Sequence, residues 1–511
     1  MQHYDIIIIG TGAGGGSILH KLKDSGKNIL VLERGTYMPQ EKENWDTTEV
    51  FLKERYHTNE VWKTKGKEDL HPGTGYWVGG NTKVYGAALL RLREKDFEQV
   101  EHYGGVSPEW PVKYKDFEPY YCEAERLYQV HGKGGLDPTE PYRSEEYAFP
   151  EVSHEPRIQE LSDDLKNQGL NPFYLPLGVM LNEADAVRSK CIRCNTCDGF
   201  PCMIHAKSDT DINCVRPTWG YKNVTLLTSA KVLRLNTDDT GKKVISADVE
   251  VGTVEQQFTA DLFILSAGAI NSAVVLLKSA GPLHPNGLAN KSGLVGRNFM
   301  KHNSTAMIGV STKLNPTVFQ KTMAVNDFYW GDEEFKYPMG HIQLLGKSNK
   351  GQISGDAPFF TPGFVLSEMV THSIDWWMTG EDLPDPENRV QVIDGEIHLD
   401  YTDNNMEGFN RLIDKIKDVL YKIDSGHSFF PHSLYLTKSI PLAAVGHQCG
   451  TVKFGTDPKT SVLDINCKTH ELDNLYVVDG GFFPSSGAVN PSLTIIANAL
   501  RVGDHLLSTF K

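Results

Sequence analysis

Gly10, Thr11, Gly12, Ala13, Gly14 and Gly15 stand in G-x-G-x-x-G spacing, a pattern whose chemistry is the binding of a pyrophosphate by backbone amides. The first glycine permits a tight turn, the second lets amides approach the anion, and the third lets a helix pack closely on a strand. Glu33 follows at the distance where a carboxylate can accept hydrogen bonds from ribose hydroxyls. Cys191, Cys194, Cys197 and Cys202 form a second cluster, with C-x2-C-x2-C-x4-C spacing. Thiols so spaced can ligate zinc or an iron–sulfur centre. We read them as a packed or disulfide-linked loop with no metal, and keep the metal site as the alternative. The third candidate is Asn326, Asp327, Phe328, Tyr329 and Trp330, where aromatic rings could stack on a sugar while amide and carboxylate meet its hydroxyls. From the residues alone, a packed aromatic turn has equal weight.

These groups need elements to hold them. Residues 5–9 are an apolar, β-rich run, residues 12–25 carry a helical pattern through Ile18, Leu19 and Leu22, and residues 28–32 form a second buried strand. That is a βαβ unit, with a right-handed crossover. The pattern predicts a helix over 114–127. In 215–300 it predicts strands at 224–228, 232–235 and 262–266 and a helix at 271–278. Near the end it predicts a strand at 475–478 and a helix at 492–507. The stretch 304–440 is richer in aromatics and β-formers. The expected fold is therefore α/β: a Rossmann-like dinucleotide-binding domain from residues 1–92, 215–300 and 441–511, interleaved with a sheet-based α+β substrate-binding domain from 93–214 and 301–440.

With 511 residues, the chain exceeds one ordinary core. Its 40% hydrophobic and 23% charged residues are those of a globular protein. A net charge of −14 argues against nucleic acid or an anionic membrane as partner. No basic leader precedes the first strand, and no apolar run approaches the roughly 20 residues of a membrane helix. A cytoplasmic location with reduced cysteines is expected.

Further segments occur in a telling order: Trp77-Val78-Gly79-Gly80-Asn81-Thr82-Lys83-Val84-Tyr85-Gly86, Leu265 to Ser272, Gly293 to Asn298, His447-Gln448-Cys449-Gly450-Thr451, and Val477-Val478-Asp479-Gly480 through Asn490-Pro491-Ser492. With the N-terminal fingerprint, this series resembles the glucose-methanol-choline (GMC) oxidoreductases across almost the whole chain. The resemblance implies bound FAD and oxidation of an alcohol by hydride transfer to flavin N5. It implies cofactor contacts at Gly79, Gly80, Asn81, Val232 against the adenine, Ala267, Gly268, Asn271, Asp479, Gly480, Asn490, Pro491 and Ser492, with Arg34 beside Glu33. Some members bind flavin covalently through a histidine; Val84 stands at that position, so FAD should be non-covalent here.

By the same resemblance, His447 falls at the family's catalytic histidine and Asn490 at the second position of the pair. Imidazole suits removal of a hydroxyl proton at working pH. His302 reads as structural. The segments Cys197–Cys202 and Asn326–Gly331 are similar to bacterial pyranose oxidases and C-glycoside 3-oxidases, the second to a substrate loop. The expected substrate is a pyranose or glycoside, oxidised at C3 in preference to C2, with oxygen or another acceptor taking the electrons. Two rival readings are an electron-transferring dehydrogenase with a metal or iron–sulfur centre at the cysteines, and a non-redox lyase on the same fold. Related enzymes are often homo-oligomers.

Overall fold

The computed structural model describes residues 2–352, 363–425 and 434–510. Its larger sheet has seven strands. The isoleucine run of β1 (Gln2–Ile9) is buried from Ile6 to Ile9 and pairs in parallel with β2 (Ile29–Leu32) on one side and with the strand Val254–Leu265 on the other. Between β1 and β2 runs α1 (Ala13–Leu22), with Ile18, Leu19 and Leu22 buried. Val224–Leu227 extends the sheet beyond β2.

On the edge away from β1, the strand Val254–Leu265 serves two partners. Its first half pairs antiparallel with Val244–Val251, which pairs in turn with Ala230–Thr237; its second half takes Leu475–Val477 in parallel. The register sets Ile9 opposite both Leu32 and Leu265, and Leu265 opposite Val477. Four strand ends therefore finish at one edge, and the turns that follow them emerge side by side. In parallel sheets this carboxyl edge is where ligands bind.

A six-stranded antiparallel sheet runs in the order Leu434–Ser439, Asn303–Val310, Ser373–Gly380, His341–Leu344, Met323–Val325, Phe173–Tyr174. Period-two alternation gives it two different faces. Met307, Ile342, Leu344, Trp376 and Met378 pack against the helices Pro156–Asn167 and Met406–Ser425. The longer helix buries Phe409, Leu412, Ile416, Leu420 and Ile423, spaced by threes and fours along one stripe. The opposite face carries Ser304 and Trp377 toward the larger sheet.

The predicted helix at 114–127 forms as Tyr114–Leu127, that at 271–278 as Ala269–Lys278, and that at 492–507 as Ser492–Thr509. One sheet crosses the expected division, where Trp62–Thr64 pairs with Glu396–Asp400; Phe173–Tyr174, which closes the antiparallel sheet, falls on the same side of it as its partner strand. Among the described residues, no helix is long and apolar enough to cross a membrane.

Ile416 is fully buried between its helix and the antiparallel sheet. Ile416→Ala should destabilise the protein by about 2–5 kcal/mol in denaturant unfolding.

Candidate active site

The turn after β1 is shaped by crowding. Gly10 has φ of +94°, and a Cβ there would stand 2.3 Å from the Ser266 carbonyl oxygen. A Cβ on Gly14 would lie 2.1 Å from the Val478 oxygen, and one on Gly15 2.0 Å from the Gly10 oxygen. Only glycine lets α1 start this close to the two neighbouring strand ends. The first turn of α1 contains no acidic side chain, and its amides lack intrahelical acceptors. It is therefore a place for an anion.

Glu33 ends the β2 turn. Its carboxylate accepts from the Thr11 amide at 3.0 Å, the Thr11 hydroxyl at 2.6 Å and the Gly35 amide at 2.8 Å. Thr11 Oγ1 in turn accepts from the Gly79 amide at 3.0 Å, which ties the glycine fingerprint to the second glycine patch. Burial pushes the Glu33 carboxyl upward, against these hydrogen bonds. Arg34 pairs with Glu60 and lies 3.5 Å over the Tyr76 ring.

Asp479 makes the equivalent tie on the other side. It accepts from the amides of Gly268 and Gly481 at 3.0 and 2.9 Å, and from the Ser272 hydroxyl. Burial raises its pKa to about 6. A Cβ on Gly268 would meet nothing within 4 Å, so this amide-lined turn opens on free space. Below the second patch, buried Lys83 bridges Asp209 and Asp211 at 2.9 and 3.0 Å.

Between these turns lies a cavity of about 1090 Å³. Gly10, Gly12, Ala13, Gly14, Glu33, Arg34, Gly80, Asn81, Val84, Val232, Ala267, Gly268, Asn271, Asp479, Gly480, Asn490, Pro491 and Ser492 line it, together with His447. Two of the expected contact residues lie outside this lining. Gly15 and Gly79 do not line the cavity: Gly15 serves the packing of α1 on Gly10, and the Gly79 amide is spent on Thr11.

His447 and Asn490 come from separate segments and meet at the cavity wall, with Asn490 Nδ2 3.5 Å from His447 Nε2. Asn490 Oδ1 is buried without a partner. Burial lowers the His447 pKa to about 3, with the His302 and His341 rings adding to the effect. His302, which reads as structural in the sequence, stands with its ring centroid 5.0 Å from that of His447, edge to face. Its backbone is left-handed at φ +63°, held by the Lys301 and His302 amides donating to Asp382 at 2.8 and 3.0 Å. Lys301, Ser304, Trp377 and Gln448 also line the cavity. Lys301, Ser304 and Trp377 lie outside the sequence motifs that mark the site. The doublet Trp376-Trp377 on a strand was a usable signal, since one ring of such a pair must face away from the core.

The expected substrate loop is placed elsewhere. None of Asn326, Asp327, Phe328, Tyr329 and Trp330 lines the cavity. Asn326 donates to Asp137 and bonds His341, Asp327 accepts from Asn171, and Phe328 packs against the antiparallel sheet's core. Tyr329 is buried, and Trp330 lies under the Lys95 ammonium. Their polar groups are already engaged by protein.

Cys191, Cys194, Cys197 and Cys202 are free thiols. Among the described residues, no group of three or more His, Cys, Asp or Glu side chains is arranged to hold a metal ion. The loop is organised by cations instead. Lys207 Nζ donates to the carbonyls of Tyr85, Cys197 and Phe200 at 2.7–2.8 Å, and Lys321 pairs with Asp198. It reaches the cavity through Gly199, whose amide donates to the Val84 carbonyl at 3.0 Å.

A parallel sheet edge with glycine turns and a long cavity defines a dinucleotide-dependent enzyme. Residues 4–304 and 384–499 match the N- and C-terminal parts of the GMC oxidoreductases, and the chain belongs to that family. It is an FAD-dependent oxidoreductase acting on CH–OH groups, and the amide-lined turns and the cavity between them fit that cofactor. Paromamine 6'-oxidase of Streptomyces fradiae is 29% identical, over 98% of this chain and 90% of that protein. 6'''-Hydroxyparomomycin C oxidase of Streptomyces lividus is 28% identical, over 99% and 91%. The crystal structure of pyridoxine 4-oxidase from Mesorbium loti shares the fold, with a TM-score of 0.68 at 16% identity, covering 99% of this chain and all of that one.

Gly15→Ala should lower FAD affinity about tenfold or more, seen as loss of the yellow flavin absorbance on gel filtration, because the Gly10 carbonyl cannot yield the needed space.

Proposed function

We propose that the protein oxidises a secondary ring hydroxyl of a pyranose or glycoside, at C3 in preference to C2. The observation that carries the reading is the placement of His447 Nε2 and Asn490 Nδ2, 3.5 Å apart on the wall of the cavity that takes the cofactor. FAD, when bound non-covalently beside Val84, supplies the acceptor for the hydride that leaves the carbinol carbon. His447 takes the hydroxyl proton, which converts the C–O bond to a carbonyl as the C–H bond breaks. Asn490 holds the same oxygen and orients it. The electrons pass on to oxygen or another acceptor. Trp377 and Ser304 support a sugar as substrate: an apolar ring face can lie on the indole while a hydroxyl meets Ser304. In this reading, residues 1–92, 215–300 and 441–511 hold the cofactor, and 93–214 and 301–440 cover the substrate.

A second reading is favoured by two relatives, whose names specify a 6' or 6''' position on an aminoglycoside. Oxidation there would convert an exocyclic hydroxymethyl group to an aldehyde. Anaerobic reduction of the flavin by a panel of sugars, glycosides and aminoglycosides decides between them. A ring ketone as product supports the first reading and an aldehyde the second, and no bleaching by any of them would leave a non-redox activity as the alternative.

His447→Ala should lower kcat/KM by about 10²–10⁴-fold with FAD retained; normal turnover in that protein would overturn the mechanism. The pH dependence follows from the lowered pKa. A base that is protonated only below about pH 3 stays competent as pH falls, so kcat/KM should lose nothing to His447 protonation from about pH 8 down to about pH 5. A steep acid limb near the ordinary histidine value, abolished in no other variant, would contradict this.

A further inference from the structure

The segment that delivers Asn490 is pinned residue by residue. Ser485 Oγ accepts from the Trp110 indole at 2.8 Å, and the Ser486 carbonyl is 3.2 Å from His302 Nε2. The Gly487 amide donates to Glu381 at 3.2 Å. Ala488 is held on both sides of its Cα: its carbonyl accepts from Thr379 Oγ1 at 2.6 Å, and its amide donates to the Tyr329 hydroxyl at 3.1 Å. Val489 is fully buried, and Asn490 follows.

Tyr329 is itself fixed from behind. Its hydroxyl donates to Asp96, 3.0 and 3.2 Å from the two carboxylate oxygens, and Asp96 is itself held by the Arg93 amide at 2.6 Å. Glu381, the neighbouring anchor, is braced by Ser107 at 2.7 Å and His102 at 3.1 Å. All of these groups are buried. Tyr329 belongs to the turn that follows the strand Met323–Val325 of the antiparallel sheet, whereas Asn490 precedes the closing helix beside the parallel sheet. One phenolic oxygen thus fixes the backbone of one part of the molecule to the other, two residues from a side chain that faces the reacting group.

We propose that Tyr329 is a positioning residue for the reaction: its hydroxyl, oriented by Asp96, holds the Ala488 amide and so sets the Asn490 carboxamide against His447. The proposal rests on the reading above that Asn490 orients the substrate oxygen. It gives the Asn326–Gly331 segment a task in the reaction without contact with the sugar. A buried tyrosine in a packed turn would need only its ring; here the hydroxyl both donates and accepts, and its accepted amide is that of Ala488, two residues before Asn490.

The test is a double-mutant cycle on the FAD-loaded protein, reading the limiting rate of anaerobic flavin reduction by the most reactive sugar of the panel. Tyr329→Phe should slow reduction about tenfold, with half-saturation and FAD content within about twofold of wild type. In the Asn490→Ala background the same change should cost less than about twofold. A slow Asn490→Ala protein in which Tyr329→Phe still costs its full factor overturns the link alone. Wild-type rates in Asn490→Ala overturn the reading of Asn490 and the link with it. Should Tyr329→Phe fail to fold, Thr379→Val removes the other Ala488 anchor and should show the same loss of additivity; additive rates overturn the proposal. A substrate-independent check is the crystal structure of the Tyr329→Phe holoprotein, where Asn490 Nδ2 should leave the 3.5 Å reach of His447 Nε2. An unmoved carboxamide overturns the proposal whatever the kinetics.

Discussion

Four strands end in register at one edge of the larger sheet, and the space between those ends admits backbone but no side chains. Ser266, Val478 and the Gly10 carbonyl occupy the positions that Cβ atoms on Gly10, Gly14 and Gly15 would need. Everything else about the site follows from this close approach. It brings the start of α1 onto the cavity, it places Gly268 and Gly480 beside it, and it leaves backbone amides as the groups nearest a bound anion. A protein of net charge −14 can hold a pyrophosphate in this way because amides and a helix N-terminus act at contact distance, whereas the net charge is spread over the surface and screened.

The same economy of charge appears in the acids. Glu33 and Asp479 are buried, and each is held by main-chain amides and a hydroxyl. Burial pushes both toward the neutral form, and the amide donors oppose that push. Each acid ties two neighbouring turns together at the cavity wall. Lys83 is kept one layer down, between Asp209 and Asp211.

The cofactor half of this arrangement was legible in the sequence because it depends on local rules. Glycine spacing after a buried strand, an acid at the end of the next strand and a helix opening at Gly268 are each set by neighbours in the chain, and the structure assembles them as expected. Elements set by distant contacts were not legible. The strand Val244–Val251 alternates buried and exposed residues too weakly to be seen against its charges Asp248 and Glu250. Asn326 to Trp330 carry the residue types of a sugar site, but residue type says nothing of direction; Asp137, Asn171 and Asp96 had already claimed their polar atoms. The cysteine spacing suggested ligands for the same reason, whereas Lys207 and Lys321, neither of them adjacent to the motif's thiols, decide the loop's course.

His302 shows how such distant contacts converge on the reacting end. A non-glycine residue with φ of +63° is in a conformation that costs about 1–3 kcal/mol and persists only where its surroundings fix it. Asp382 fixes it, taking the amides of both Lys301 and His302 while it accepts from Tyr401 and Ser486. The strained residue therefore sits where two turns share one carboxylate, and its ring is delivered edge to face against His447. Burial keeps both rings neutral, and the His302 ring disfavours a positive charge on His447. In the proposed reaction, His447 is to receive a proton as a hydride leaves, and this arrangement keeps it unprotonated beforehand.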